Sequence, residues 1–230
     1  PTITPTQTNT ATPTSTPTPT LTPTPTCIQP LDSLISWWPG EGNAKDIRDG
    51  NQGALLRGAT FAPSKVGQAF SFNKVSQVSA PTTGLPAGGD DRTLEMWALV
   101  NKFYEGEVFF SGYGRFKSYN HTYDLGAAGD TLFFSQWGDA LFGPKLITNR
   151  WYHIAVTNAS TLVTLYLDGK AVASKDMYID TPKGFYLFMG SLPGESDKRL
   201  DGLIDEVSVY DRALSVEEIQ AITLAGNLGK

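Results

Sequence analysis

The sequence predicts an all-β fold, a two-sheet antiparallel sandwich followed by one short C-terminal helix. Three observations indicate it: short runs of alternating apolar and polar residues from Leu34 onwards, the 23 glycines and 15 prolines that supply turns, and an apolar content of 40%, enough for a core. Composition divides the 230 residues into a Thr/Pro-rich segment at 1–27 and a domain at 28–230. A length of about 200 residues suits a single all-β domain.

Five strands are predicted in the first part of the domain: LISWW (34–38), QAFSF (68–72), TLEMWALV (93–100), EVFFS (107–111) and DTLFFSQW (130–137). Successive side chains of a strand point to opposite faces of the sheet. The third run should therefore present one apolar face, made by Leu94, Met96, Ala98 and Val100.

Five more strands are predicted in the second part: WYHIAVTN (151–158), TLVTLYLDG (161–169), KAVAS (170–174), GFYLFMG (184–190) and LIDEVSVYD (203–211). Asp168 and Gly169 match a two-residue type I′ turn. In SVEEIQAI (215–222), Ser215 and Glu218 have the spacing of a capping box. This pattern predicts a helix, which we expect to pack on the end of the sandwich.

The opening segment has a threonine at every even position, and two interpretations of it stay open. It is too poor in apolar residues to fold alone. Proline would hold it extended as a stalk, and Thr beside Pro is typical of O-glycosylation. Alternatively, period two places all threonines on one face of a strand that pairs with a neighbouring subunit. The candidate glycosylation sites are Thr2, Thr4, Thr6, Thr8, Thr10, Thr12, Thr14, Thr16, Thr18, Thr20, Thr22, Thr24 and Thr26.

Charge and cysteine content narrow the class of protein. A net charge of −5 argues against nucleic acid as a partner, since binding to its phosphates requires basic surface patches. No apolar run approaches the ~20 residues of a membrane span. Cys27 is the only cysteine, which excludes a disulfide framework within the chain. The chain begins at Pro1, so we expect a processed or truncated product.

Three stretches resemble bacterial LamG-like (laminin G-like) domains, which have the concanavalin A-like jelly-roll fold. They are LISWWPGEGNAKDIRDGNQGALLRGATFAPSKVGQAFSF (34–72), WYHIAVTNASTLVTLYLDGKAVAS (151–174) and LDGLIDEVSVYDRALSVEEIQAI (200–222). The resemblance implies that the first and last strands lie near each other. It also implies a non-catalytic, extracellular module that binds glycans or proteins and often carries calcium.

A calcium ion is one expectation of this resemblance. The aspartates that match the family's likely ligands are Asp46 and Asp205, and Asn51 adds an amide oxygen in the same glycine-rich loop as Asp46. Calcium prefers six to eight oxygen ligands of these kinds. The alternative is that these side chains only make turn and capping hydrogen bonds.

Sugar binding needs aromatic rings beside hydrogen-bonding groups. The segments 103–123 and 134–139 supply both, and the candidate ligand residues are Tyr104, Tyr113, Arg115, Tyr119 and Trp137. The alternative is that several of these rings belong to the core. The middle of the chain, roughly 101–147, departs from the family pattern, as expected for ligand loops.

Catalysis is not expected. The sequence has no G-x-S-x-G elbow, and the stretch nearest to the E-x-D-x-E pattern of related glycosidases, ESDKR at 195–199, lacks the last carboxylate. We therefore expect a secreted or cell-surface module that binds glycans or cell-surface proteins from a Thr/Pro stalk. The alternative is a structural subunit of an extracellular filament or surface layer, assembled through residues 1–27.

Overall fold

A computed structural model describes residues 29–192 and 199–226, so the predictions for residues 1–27, Cys27 included, lie outside the described residues. Two antiparallel sheets make up the domain. The eight-stranded sheet has the order β13 (Lys170–Asp176), β12 (Leu162–Leu167), β11 (Trp151–Ala159), β6 (Arg92–Val100), β15 (Asp201–Tyr210), β4 (Gln68–Asn73) and β3 (Thr60–Pro63), with β1 (Leu34–Trp38) paired to β15. The seven-stranded sheet has the order β10 (Ala140–Lys145), β9 (Thr131–Ser135), β8 (Thr122–Ala128), β7 (Glu107–Gly114), β14 (Tyr186–Met189), β5 (Gln77–Pro81) and β2 (Ala54–Leu56).

The core lies between the two sheets and confirms the predicted alternation. All four apolar residues predicted to share a face of β6 are buried in it, and so are the inward residues of the opposite sheet, among them Val108, Leu125 and Leu187. Side chains of the same strands that alternate with these point away from the core. The sandwich class predicted from the sequence is therefore the one observed.

The first and last strands pair directly, as the resemblance implied. Strand β1 runs antiparallel to β15, with Leu34 opposite Tyr210 and Trp38 opposite Val207. The tight turn predicted between β12 and β13 is also present. Asp168 and Gly169 have φ values of 49° and 78°, and two successive positive values are what a type I′ turn requires.

Helix α1 (Val216–Ala225) begins with the predicted capping box, in which Glu218 N–H donates to the Ser215 hydroxyl and Ser215 N–H donates to the Glu218 carboxylate. The expectation that it packs on the end of the sandwich is wrong. Ile219 and Ile222 pack among residues of β1, β11, β12 and β15 on the outer face of the eight-stranded sheet. The reason is that the outward side of this sheet carries apolar residues there, which need a cover.

All ten predicted strands occur, with ends that differ by no more than three residues. Five strands were not predicted: β2, β3, β5, β8 and β10. Three of them, β2, β3 and β10, are short or largely exposed edge strands without an apolar face. Strand β8 carries Asp124 and Gly126 in its middle, which interrupt the β-branched and aromatic pattern of a strand.

Candidate functional site

The outer face of the seven-stranded sheet carries a layer of side chains that the core does not use. One cross-strand row consists of Phe142, Phe133, Gly126 and Phe109 on β10, β9, β8 and β7. The next row consists of Ala140, Ser135, Asp124, Gly112 and Phe188. Directly opposite residues in an antiparallel pair share a face, so both rows face outward together.

Two loops fold over this face. Loop 115–121 joins β7 to β8, and loop 136–139 joins β9 to β10. Phe116 and Trp137, one from each loop, pack on a small apolar cluster made by Phe109, Phe133 and Leu192. The ring of Phe116 also meets Phe188 edge-on, with 5.8 Å between ring centroids. The loops therefore rest on an apolar cluster separate from the main core.

The first groove lies between these loops and encloses about 440 Å³. It is lined by Glu107, Phe109, Tyr119, Ser135, Trp137, Gly138, Asp139 and Ala140. Tyr119 is 75% exposed, so its ring presents a face to solvent. Trp137 is half-buried and has a φ of 68°, with its backbone N–H donating to the Ser135 hydroxyl at 3.0 Å. The groove thus combines two partly solvent-exposed aromatic rings with hydrogen-bonding groups.

A glycine keeps the two loops in contact at this groove. A β-carbon at Gly138 would lie 2.7 Å from Cδ1 of Tyr119 and 3.2 Å from the Asn120 side-chain oxygen. Gln136 is buried nearby, and its side-chain oxygen has no hydrogen-bond partner within the described residues. A ligand that displaced the side chains over Gln136 would be able to donate a hydrogen bond to this oxygen.

The acids of the first groove differ in their surroundings. Lys175 lies 2.6 Å from the Asp139 carboxylate, and this hydrogen bond holds the pKa of Asp139 below its ordinary value. Asp124 lies in the row that ends at the groove residues Ser135 and Ala140, and it is fully buried. Burial raises the pKa of Asp124 well above its ordinary value of 3.8, and the Glu107 carboxylate acts in the same direction. Asp124 is therefore held towards its neutral form.

The second groove lies on the other side of loop 115–121 and encloses about 510 Å³. It is lined by Gly114, Arg115, Phe116, Lys117, Phe185, Tyr186 and Phe188. A third cleft of about 760 Å³ adjoins it, because Phe185 and Tyr186 line both. Its further lining includes residues 81–86 and the acids Asp90, Asp91 and Asp211.

The structure brings together three of the five predicted ligand residues on this face. Tyr119 and Trp137 line the first groove, and Arg115 lines the second. Sequence reasoning missed Glu107 and Phe109 in the first groove and Tyr186 in the second. The strand alternation of β14 could have indicated Tyr186, because Leu187 and Met189 are the core residues of that strand.

Tyr113 and Tyr104 lie elsewhere. Tyr113 is only 2% exposed, and its hydroxyl accepts a hydrogen bond from Arg92, so its prediction as a ligand contact is wrong: burial in the core leaves no accessible ring face. Tyr104 lies where its ring is covered by Lys74, whose Nζ is 3.5 Å from the ring centroid. Its hydroxyl donates to Asp201, and Tyr104 lines none of the three clefts described above.

The predicted calcium residues are engaged by protein groups. The two carboxylate oxygens of Asp46 accept backbone N–H groups of Trp37, Arg48 and Asn51. The Asn51 side-chain oxygen accepts the Thr83 N–H at 3.0 Å. These hydrogen bonds match the alternative left open above, in which the loop only stabilises its own turns.

Asp205 is more available than the other two. One carboxylate oxygen accepts from Ser64 and Val66, while the other is buried without a hydrogen-bond partner in the described part of the chain. Burial raises the pKa of Asp205 to about 7, and the carboxylates of Glu206 and Glu41 add to the rise. Across residues 29–192 and 199–226, no group of three or more His, Cys, Asp or Glu side chains is arranged to hold a metal. The three predicted ligands thus do not form a ready-made site, and calcium stays a prediction.

A buried network under α1 has the residue types of a catalytic triad. Nδ1 of His153 lies 3.0 Å from the Thr223 hydroxyl, and Nε2 lies 3.0 Å from the Glu95 carboxylate. The Thr223 hydroxyl also lies 2.8 Å from the carbonyl oxygen of Ile219, within the same helix. His153 and Glu95 are fully buried. The network therefore attaches the helix to the sheet.

The described helix has ten residues, which is too short to cross a membrane.

Comparisons with known proteins agree on the fold. The family model for the concanavalin A-like lectin/glucanases superfamily matches residues 72–220, and no curated protein sequence matches the chain. Domain 4 of an extracellular arabinanase from Geobacillus stearothermophilus, solved in complex with arabinotriose, superposes with a TM-score of 0.69 at 21% identity. That match covers 84% of this chain and 98% of the other.

Two toxin domains are also similar in structure. The binding domain of Paraclostridial Mosquitocidal Protein 1 matches with a TM-score of 0.67 at 18% identity, over 84% of this chain and 52% of that one. The binding domain of botulinum neurotoxin serotype G matches with a TM-score of 0.63 at 13% identity, over 83% and 50% of the two chains. At these identities the likeness establishes the fold.

Proposed function

Because the chain belongs to the laminin G-like family of the concanavalin A-like lectin/glucanases superfamily, we propose that it is a non-catalytic, extracellular carbohydrate-binding module. Its ligand is an oligosaccharide that lies on the outer face of the seven-stranded sheet. Its partners are glycans, free or carried on cell-surface proteins.

The first groove is the observation that carries this proposal. Sugars present apolar C–H faces and polar hydroxyl edges, so their sites pair an aromatic ring with hydrogen-bonding groups at its rim. Tyr119 and Trp137 supply the rings. Glu107, Ser135 and Asp139 lie beside them and offer carboxylate and hydroxyl oxygens to sugar hydroxyls.

The comparisons support the same role. The arabinanase domain was solved with arabinotriose, and two further structural neighbours are the binding domains of toxins. The arabinanase is an extracellular enzyme, which supports secretion or surface display of this chain. Because the sequence identities lie below 25%, these comparisons support a binding role but do not indicate which sugar is bound.

The absence of catalysis is part of the proposal. Glycoside hydrolysis needs two carboxyl groups placed on either side of one glycosidic bond. In the first groove one of the two lining acids, Asp139, is held by Lys175. We expect incubation with a polysaccharide panel to release no reducing ends, and release of reducing ends that a groove variant abolishes would contradict the proposal.

Calorimetric titration with arabinotriose and a panel of neutral oligosaccharides tests the binding role. Tyr119→Ala should weaken binding by roughly tenfold or more, because stacking of an exposed ring is lost while the fold is untouched. Tyr178→Ala is the matched control, since Tyr178 is 66% exposed and lines none of the three clefts. Equal affinities for wild type and Tyr119→Ala would reject the first groove as the site.

The second hypothesis, a filament or surface-layer subunit assembled through residues 1–27, stays a prediction. Its decisive residues lie outside the described part of the chain.

A further inference from the structure

The second groove differs from the other two clefts in charge. The chain carries a net charge of −5; the first groove is lined by two acids, and the third cleft by three acids and one cation, Lys183. In the second groove both charged lining residues are cations, Arg115 and Lys117. An aromatic groove with this sign on an acidic protein points to an anionic ligand group.

Arg115 has a charge that no described carboxylate balances. Two other arginines are paired with carboxylates: Arg150 lies 2.8 Å from Asp168, and Arg212 lies 2.6 Å from Glu218. Within residues 29–192 and 199–226 the Arg115 guanidinium makes no ion pair or hydrogen bond, although its backbone N–H donates to the carbonyl of His121 at 2.8 Å. The backbone is therefore fixed while all five guanidinium N–H donors stay available.

The aromatic side chains that line the second groove are partly exposed to solvent. Tyr186 is 54% exposed and Phe185 is 37% exposed. Phe188 lies beneath, with its ring held at 5.8 Å from Phe116 and 6.3 Å from Tyr186. The groove thus has a rigid aromatic floor with cations at its rim, an arrangement that suits a sugar ring bearing a carboxylate.

We propose that the second groove binds an acidic sugar unit, with the sugar carboxylate paired to Arg115 and the sugar ring against Tyr186. This inference rests on the proposed carbohydrate-binding function and specifies its ligand as a carboxylated oligosaccharide. A guanidinium and a carboxylate form two parallel hydrogen bonds, which a lysine or a neutral side chain does not reproduce. Loop 115–121 contributes to both grooves, since Tyr119 lines the first and Arg115 lines the second.

The experiment compares acidic sugars with matched neutral ones by calorimetry. The probes are hexagalacturonate and its methyl ester, then sialyllactose and lactose. We expect at least one acidic probe to bind about tenfold more tightly than its neutral counterpart, and this advantage to fall as salt is raised. Arg115→Gln should remove the advantage, and Tyr186→Ala should weaken both members of the preferred pair.

Arg57→Gln is the matched control, because Arg57 is exposed on the β2–β3 turn and lines none of the three clefts. Circular dichroism of each variant establishes that it is folded. Equal binding of acidic and neutral probes, or an unchanged preference in Arg115→Gln, overturns the inference. If neutral sugars still bind through Tyr119 in that case, the proposed function stands; if no sugar binds at all, both fail.

Discussion

The Asp124 carboxylate lies directly over the α-carbon of Gly112 on the neighbouring strand. A β-carbon at Gly112 would come within 2.2 Å of Oδ1 of Asp124 and within 2.8 Å of its α-carbon. The buried acid therefore occupies the space that a side chain on β7 would fill. At position 112 only a glycine leaves room for the Asp124 side chain on the outer face of the sheet.

Gly112→Ala should lower the free energy of unfolding by about 3 kcal/mol, because the new methyl group meets backbone as well as side-chain atoms and cannot be accommodated by a rotamer change. Chemical denaturation measures the change. Gly89→Ala is the control, since a β-carbon there would approach only the Ile179 carbonyl, at 3.4 Å. If Gly112→Ala and Gly89→Ala lost equal amounts of unfolding free energy, the steric clash inferred at Gly112 would be contradicted.

Asp124 should make the protein less stable as pH rises above about 4. Its folded pKa is raised above its ordinary value of 3.8, so between these two values the unfolded chain has released the proton that the folded chain still binds. Stability falls with rising pH wherever the unfolded state binds fewer protons.

Asp124→Asn removes this dependence because an amide does not titrate. The free energy of unfolding of Asp124→Asn relative to wild type should therefore improve as pH rises above about 4, until the folded carboxyl itself ionises, whatever the constant effect of the amide. Urea denaturation at several pH values measures the difference. Parallel curves for the two proteins would show that Asp124 is ionised in the folded state.

The calcium hypothesis predicts that added Ca²⁺ raises the melting temperature and that a chelator lowers it. Asp205 is the most informative of the three predicted ligands, because one of its oxygens is buried without a hydrogen-bond partner in the described residues. Asp205→Asn should abolish the response, while Asp176→Asn on the exposed strand β13 should leave it intact. A melting temperature that is the same with calcium and with chelator would remove the hypothesis.

The Thr/Pro segment gives two alternative predictions for natively produced protein. As a stalk, it should carry hexoses on the even-numbered threonines, visible by mass spectrometry, and the chain should sediment as a monomer. As an assembly strand, the chain 1–230 should form fibres or defined oligomers in negative-stain images, and a chain starting at Ile28 should stay monomeric. Oligomers of both chains would assign assembly to the domain instead.

The fold could be predicted from the sequence because burial on one face leaves a period-two pattern. Strands β6 and β11 are buried on both faces over most of their nine residues, but their core-facing positions are apolar at every second residue, and both were found. Strands β2 and β3 lie at sheet edges with little burial, so no periodicity marks them. Strand β8 was missed because of its composition: Tyr123, Leu125 and Ala127 alternate into the core, but the intervening Asp124 and Gly126 are residue types that strands disfavour.

The candidate site was only partly predictable. Tyr119 and Trp137 were recognised by residue type, but Tyr113 has the same type and belongs to the core. Which side of a strand a residue occupies depends on register, and the bulge between Phe109 and Ser111 shifts the register just before Tyr113. The pairing of Gly112 with Asp124 and the cationic rim at Arg115 depend on contacts between strands and loops, which residue spacing does not reveal.

The pairing of β1 with β15 places the first and last strands of the domain side by side on the eight-stranded sheet, and helix α1 packs on the outer face of that sheet. Both grooves lie on the outside of the other sheet. A contact made through α1 would therefore leave both grooves accessible on the opposite side of the sandwich.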